Sequence, residues 1–490
     1  MNQRLKKYYN NLPPELRGMA SGILWSLSGS LLAKVLPFIA WIIVAQILGK
    51  EQFGEYGIIR NTVLVFVSFA VFGLGTTGTK FIAEYYNKDK NKAGQIASFT
   101  LNFAFVSGSI ICLSVILSAN YLANDMLSAP WLKDELRIGA VVLLFSAYNG
   151  AQNGILSGLK EFKMLARVAL LNSVFCFPLY ICGAYGGVFW SVCAFALGHI
   201  IMCLQSAYCI RVSTRQNKLS ISLRNGWKEW RILYSYSLPA ALAGMVFLPA
   251  KWYSEVILVN ASDFASLGIF SAAFTIHSIV LSVSAIISKP IISYLATYGT
   301  GNKLINDVNI ILPWGFGFCL CMPLICFPEI GEIMFGADYC GKIFKDSFAL
   351  IVYFTYVLVY NEGVKRNLAV LNLQWVEFCA NFLRAIVLIA FLFLSDEKNS
   401  VTLSLGYVFS FLLVIISFYP IFIYKRWIPA YMMTSIPAII LWVLISAPLM
   451  FLFIDSHILI RFIYCLCSLL LCLRLFISLW RSSKGKMCCV

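Results

Sequence analysis

Apolar runs of roughly twenty residues recur from Gly18 to Trp480, separated by short polar breaks. A helix of that length crosses a hydrocarbon core of about 30 Å and pairs all of its own peptide groups, as a lipid environment demands. The pattern predicts fourteen membrane helices, at 20–48, 57–83, 96–119, 138–157, 168–183, 190–210, 237–260, 264–296, 308–328, 347–364, 370–394, 401–424, 430–453 and 457–480. Segments of about ten residues with alternating polarity, the mark of a β-barrel, do not occur. The expected fold is an all-α polytopic membrane protein. The stretch 264–296 is long for one helix, and its Lys289-Pro290 predicts a kink or an interfacial last turn. Between 168 and 210 only Gly183, Gly186 and Gly187 supply a break.

Composition agrees, since 60% of the 490 residues are hydrophobic and 12% are charged, against about 25% charged in soluble proteins. The loops test the span count independently, because basic residues gather on the cytoplasmic side. With the amino terminus inside, the inner segments hold Arg4, Lys6, Lys7 and Arg17, then Lys88, Lys90 and Lys92, then Lys160, Lys163 and Arg167. Further inner segments hold the bases between Arg211 and Arg231, Lys303, Lys365, Arg366, Lys425, Arg426, Arg481, Lys484 and Lys486. The outer segments hold few bases and carry acids such as Glu51, Asp134, Asp263, Glu329 and Asp396. Both termini are therefore expected in the cytoplasm. The net charge of +16 reports topology and contact with anionic membrane lipid, so nucleic acid is no expected partner. The first apolar run is too long for a signal peptide and is expected to be retained.

Nearly all of the 16 cysteines fall within spans or on the inner side, and Cys340 stands in an outer loop without a partner, so no disulfide framework is expected. The close pairs Cys319/Cys321, Cys465/Cys467 and Cys488/Cys489 lack accompanying histidines. No metal site and no cofactor are expected. His199 and His277 read as satisfied core groups. Met487 occupies the position where a prenylation box needs its cysteine.

A weak internal repeat relates spans one and two to spans seven and eight. It pairs Pro37 with Pro249, Trp41 with Trp252, Gly57 with Gly268, and Lys80 with Lys289. The repeat predicts an amino-terminal six-helix lobe at 1–210, a basic cytoplasmic linker at 211–236, a second six-helix lobe at 237–426, and two further helices with a short tail at 427–490.

Ionised side chains inside spans are the candidate functional residues, because one at mid-bilayer costs about 2.5 to 3.5 kcal/mol on insertion scales. Lys34 lies near the middle of span one, too deep to snorkel easily, and reads as functional. Arg60 suits a diphosphate by its bidentate geometry, and its place near the outer end also suits an interfacial anchor. Lys80 and Lys289 occupy inner ends, where an ordinary rim lysine is an equal reading. Lys251 and Glu255 are four apart, share a helix face and can pair, either as a structural pair or as a site where phosphate and a coupling ion compete. Glu377, Asn381 and Arg384 form a polar stripe on span eleven, which must face protein or water. Asn149 and Asn153 in span four, with Tyr148 and Gln152, and Tyr353, Tyr356 and Tyr360 in span ten, offer groups for sugar. Packing between helices is the commoner use of such residues.

The stretches AQILGKEQFGEYGI and FGLGTTGTKFIAEYYNKDKNKAGQI, and later GILSGLKEFKMLAR, SLGIFSAAFTI and IGEIMFGADY, resemble the Wzx-type polysaccharide or O-antigen flippases of the multidrug/oligosaccharidyl-lipid/polysaccharide exporter superfamily. The likeness thins after about Ser400. It implies two six-helix lobes around a central cavity plus two carboxyl-terminal helices. It also implies alternating access and export of an undecaprenyl-diphosphate-linked oligosaccharide across the bacterial plasma (inner) membrane. Lipid II flippases of the superfamily use arginines on spans one, two and eight, where this chain has Lys34, Arg60 and Lys289. Lysine keeps the charge and loses the fork. Coupling to a proton or sodium gradient and company with other glycan-assembly membrane proteins are expected. A multidrug antiporter of the same fold is the alternative, but in-span bases outnumber Glu255, Glu362 and Glu377, which favours an anion. A membrane glycan polymerase or ligase would need a large outer loop with a base and arginines, and neither that nor a P-loop is present, so no catalytic residue is expected.

Overall fold

The computed structural model describes residues 14–71, 73–86, 88–217, 247–298, 300–371, 373–449 and 457–484, and the single positions 219, 221 and 227. Among them the regular elements are helical: α1 (Pro14–Val71), α2 (Leu74–Tyr85), α3 (Lys90–Tyr121), α4 (Lys133–Gly158), α5 (Phe162–Tyr185), α6 (Val188–Asn217), α7 (Phe247–Ala261) and α8 (Phe264–Tyr298). They continue with α9 (Lys303–Cys326), α10 (Glu329–Phe335), α11 (Lys342–Val370), α12 (Gln374–Leu394), α13 (Ser400–Tyr424), α14 (Tyr431–Thr434), α15 (Ile436–Ala447) and α16 (Ile458–Lys484).

Ten described helices are long and apolar enough to cross a membrane, against the fourteen crossings expected. The difference has local causes. Spans 20–48 and 57–83 follow one another through α1, which is two helices joined without a loop at a kink at Gly49, where φ 69° and ψ 172° admit only glycine without strain. Helix α4 interrupts its apolar run with Asn149, Gln152 and Asn153. The described part of α7 starts at Phe247, because 237–246 lies outside the described residues. The stretch 430–453 is split at Ser435, whose hydroxyl caps α15 by accepting from the Ala438 N–H at 3.3 Å. The glycine break between α5 and α6 stands where it was expected, with Gly187 at φ 83°.

Two compact units divide the chain: residues 33–271, and residues 272–490 together with 1–32. In the first, α4 is central and packs against α2, α3 and α6. The α7–α8 hairpin lies on the second arm of α1 through glycines. A Cβ on Gly54 would sit 1.9 Å from the Phe264 carbonyl oxygen, and one on Gly268 would sit 1.7 Å from that of Lys50. Small residues let backbones approach in this way where lipid supplies no hydrophobic drive between helices.

In the second unit α11 lies between α9 and α13, and α16 lies along α9. Its interior is aromatic, with Trp314, Tyr356, Tyr360, Tyr407 and Tyr419 fully buried. The Trp314 indole N–H donates to the Tyr356 hydroxyl at 2.7 Å, Tyr360 donates to the Met432 carbonyl at 3.0 Å, and Tyr419 donates to Asn361 at 2.6 Å. These tyrosine hydroxyls are spent on neighbouring helices. Outward, Leu394, Ile416 and Leu459 are exposed here, as Leu117 and Leu204 are on the first unit, apolar surface that only hydrocarbon covers at low cost.

A charged strut joins α10, α11 and α16 beyond the end of α9. Arg461 donates to both Glu329 carboxylate oxygens at 2.9 and 3.0 Å, Lys345 reaches Glu329 at 3.5 Å and Glu332 at 3.4 Å, and the Gly341 N–H donates to Glu332 at 2.8 Å. Burial pulls the Glu329 pKa up, yet its own backbone N–H, Arg461 and Lys345 together outweigh that, and the net value lies below the ordinary 4.5. A depressed folded pKa means stability that is present above the unfolded value and lost as pH falls through the folded one. The melting temperature of the detergent-solubilised protein should therefore exceed that of Glu329→Gln at pH 7, with the gap closing below about pH 4.5. A pH-independent gap would remove Glu329 ionisation from the strut.

Candidate functional site

In the first unit the site is built where α7 meets the second arm of α1. Four-residue spacing puts Lys251 and Glu255 on one face of α7, and the ammonium donates to Glu255 Oε1. The other oxygen, Oε2, accepts from Asn61 Nδ2 at 2.9 Å. Glu255 is 0% exposed and the Lys251 side chain 13%, so the carboxylate is enclosed while the lysine keeps a small outlet. One turn away, the Trp252 indole donates to Thr62 Oγ1 at 2.8 Å, which pins α7 to α1 beside the pair.

Arg60 precedes Asn61 on α1. Its guanidinium lies 4.3 Å from the Trp41 ring centroid, and Trp41 in turn stacks on Tyr56 at 5.3 Å and leans on Tyr180 at 5.8 Å. Among the described residues Arg60 forms no ion pair. An aromatic face holds a cation in place and leaves its charge uncancelled. The remaining sequence candidates of this unit stand elsewhere. Lys34 is exposed on α1. Lys80 is exposed and lies 5.4 Å from the Phe81 ring centroid. Asn149 donates to Ser206 at 2.9 Å and accepts from Asn153 at 2.9 Å, and Gln152 donates to the Cys203 carbonyl at 3.1 Å, so this amide group ties α4 to α6.

In the second unit the stripe on α12 holds together as spaced. Arg384 Nη1 donates to Asn381 Oδ1 at 2.7 Å, and Glu377 lies half-buried on the same helix. The guanidinium sits 4.5 Å from the Phe411 ring centroid, is 3% exposed, and has a buried Nε with no hydrogen-bond partner. It too forms no ion pair among the described residues. A guanidinium carries five donors, and an unmet one in a buried place costs about 1–3 kcal/mol or more. The Lys289 side chain lies outside the described residues.

Arg366 corrects the sequence reading. It counted there as an inner-loop base, yet α11 runs on to Val370 and buries it. Its guanidinium donates to Asn309 through Nε at 2.6 Å and to the Asn309 carbonyl at 3.1 Å, and also bonds Ser288. Asn309 donates to Asn367 at 2.9 Å, and nearby Asp307 accepts from the Tyr431 hydroxyl at 2.9 Å. The spacing of Glu362, Arg366 and Asn306, Asn309 was a helical polar stripe readable in advance. Of the histidines singled out above, His277 is buried with Nδ1 2.9 Å from Thr355 Oγ1, and the half-buried His199 has Nδ1 3.0 Å from the Phe195 carbonyl.

A model of the polysaccharide biosynthesis protein family matches residues 19–296. The chain belongs to that family. A relative, the EPS I polysaccharide export inner membrane protein EpsE of Ralstonia nicotianae, is 21% identical over 327 residues, 66% of this chain and 74% of the relative. Stage V sporulation protein B of Bacillus subtilis is 26% identical over 271 residues, 52% of this chain and 51% of the relative. The lipid II flippase MurJ in its inward closed conformation superposes with a TM-score of 0.67 at 15% identity, covering 94% of this chain and 99% of that one. An inward-facing MATE multidrug transporter of the MOP superfamily gives 0.68 at 16%, covering 81% and 97%. These structures share the fold of this family member, an all-α polytopic membrane architecture. By name EpsE is an export protein, MurJ a flippase and the MATE protein a multidrug transporter.

Proposed function

We propose that the protein is a flippase that carries an undecaprenyl-diphosphate-linked oligosaccharide, an O-antigen or similar surface-polysaccharide repeat unit, from the cytoplasmic to the outer leaflet of the bacterial inner membrane by alternating access. Its polysaccharide family and the export role named for the Ralstonia relative support the class of cargo. A protein is needed because each sugar hydroxyl stripped of water costs about 2–7 kcal/mol in hydrocarbon. The observation that carries the reading is that two guanidinium groups, Arg60 and Arg384, lie in membrane helices against aromatic rings and form no ion pair among the described residues. Such groups suit a diphosphate and repel an organic cation. The enclosed Lys251–Glu255–Asn61 cluster is the proposed place where a proton or sodium ion couples to transport, and the polyprenyl tail stays in lipid beside α14–α16. Both termini face the cytoplasm in this reading, and other glycan-assembly membrane proteins receive the cargo.

Arg384→Gln, at normal protein level, should lower surface polymer at least about tenfold, the equivalent of one charge-assisted hydrogen bond of roughly 1.5–3 kcal/mol. Lipid-linked oligosaccharide should accumulate on the inner leaflet. Arg384→Lys should keep part of the activity, since charge survives and the fork does not. Wild-type polymer from Arg384→Gln and Arg60→Gln alike would sink the assignment.

A further inference from the structure

Nineteen residues of straight helix would set Trp41 and Arg60 roughly 28 Å apart. The Arg60 guanidinium instead lies 4.3 Å from the indole centroid, because the kink at Gly49 folds the two arms of α1 against each other. Tyr56 and Arg60 are one turn apart on the second arm and share a face. One indole therefore meets both, stacking on Tyr56 at 5.3 Å.

The indole is itself held in place. Tyr180 of α5 leans on it at 5.8 Å. Tyr56, 2% exposed, meets Phe195 of α6 edge-on at 6.5 Å, and Phe195 meets the His199 ring at 4.6 Å. A glycine makes room for this row, since a Cβ on Gly198 would stand 2.7 Å from the Tyr180 hydroxyl oxygen. Rings from three helices thus fix Trp41, and Trp41 fixes a side chain with many rotamers. Among the described residues Arg60 forms no ion pair, so a ring and not a carboxylate orients it. The difference matters for an anionic ligand. A carboxylate would compete with phosphate for the guanidinium, whereas an aromatic face attracts it without taking up the in-plane N–H donors that a phosphate uses.

We propose that Trp41 is the positioning residue for Arg60: it aims the guanidinium at the diphosphate of the cargo and acts on binding only through that group. The inference rests on the flippase reading and adds to it the residue that makes one of its arginines effective.

The test uses the full chain in detergent, with undecaprenyl diphosphate and undecaprenol as probes, which differ in the diphosphate alone. Affinities are measured by microscale thermophoresis. Arg60→Gln should bind the diphosphate at least about tenfold more weakly, and Trp41→Leu by a similar factor. Undecaprenol binding should hold in both. Trp41→Leu combined with Arg60→Gln should lose no more than about twofold beyond Arg60→Gln alone, because the indole works through the guanidinium. Mono-, di- and trifluorotryptophan placed at position 41 keep the shape of the ring, and so the fold, while draining the negative charge of its face. Affinity for the diphosphate should fall stepwise along that series. Affinity indifferent to fluorination, or losses that add in full in the double variant, would overturn the proposal. Wild-type affinity in Arg60→Gln would fail the flippase reading and this inference together, whereas a weakened Arg60→Gln beside a wild-type Trp41→Leu would fail this inference alone.

Discussion

Lys251→Met is expected to destabilise the protein by about 3–5 kcal/mol, because it strands a carboxylate in a place with no exposure. The asymmetry of the pair sharpens the expectation. Glu255→Gln should be milder, since an amide oxygen still accepts from Asn61 and Lys251, unlike Glu255, is not fully enclosed. Lys251→Met combined with Glu255→Gln should recover most of the lost stability, because no buried charge is left uncompensated. Thermal unfolding in detergent compares the four proteins. Equal melting temperatures for Lys251→Met and the wild type would show that the pair is solvated. If the double variant folds and reaches the membrane but displays no surface polymer, the pair works in transport; normal polymer would return it to a packing role.

Gly268→Ala should also lower stability, by about 1–3 kcal/mol or more, although alanine is the better helix former by roughly 1 kcal/mol. The clash decides the sign. Its Cβ would lie 1.7 Å from the Lys50 carbonyl oxygen, and a backbone atom cannot swing aside as a side chain does. The α8 start must therefore part from α1, loosening the contact that Gly54 makes with Phe264 as well. Gly315→Ala is the control. Its Cβ would meet Phe476 at an ordinary 3.5 Å, so the helix-propensity gain should survive and the melting temperature should hold or rise. A neutral Gly268→Ala would mean that the hairpin sits less closely on α1.

Particular residues show what could be read early. The i, i+4 spacing of Lys251 and Glu255 announced their pairing, and the stripe of Glu377, Asn381 and Arg384 announced a polar face on α12. Asn61 was not legible as the second partner of Glu255, since it lies 194 residues away in sequence. Arg366 was misplaced because helix ends are the weakest point of a hydropathy reading. A boundary set six residues early, at 364 instead of Val370, turned a buried arginine into a loop base. The tyrosines of α11 were visible as a polar-tipped row, but only their neighbours show that Trp314, Met432 and Asn361 occupy the hydroxyls.

By itself the sequence determined that this is a helical membrane protein and roughly where its helices run. Those conclusions rest on local signals: run length against bilayer thickness, and spacing along one helix. Which cations lie against an aromatic ring and which against a carboxylate was decided only by the tertiary structure. In a membrane the interior and the lipid are equally apolar, so the pattern of oily residues says little about which face meets which helix. Contacts such as Asn61 on Glu255 within one unit, or Arg461 on Glu329 within the other, come into being only when distant segments are set side by side.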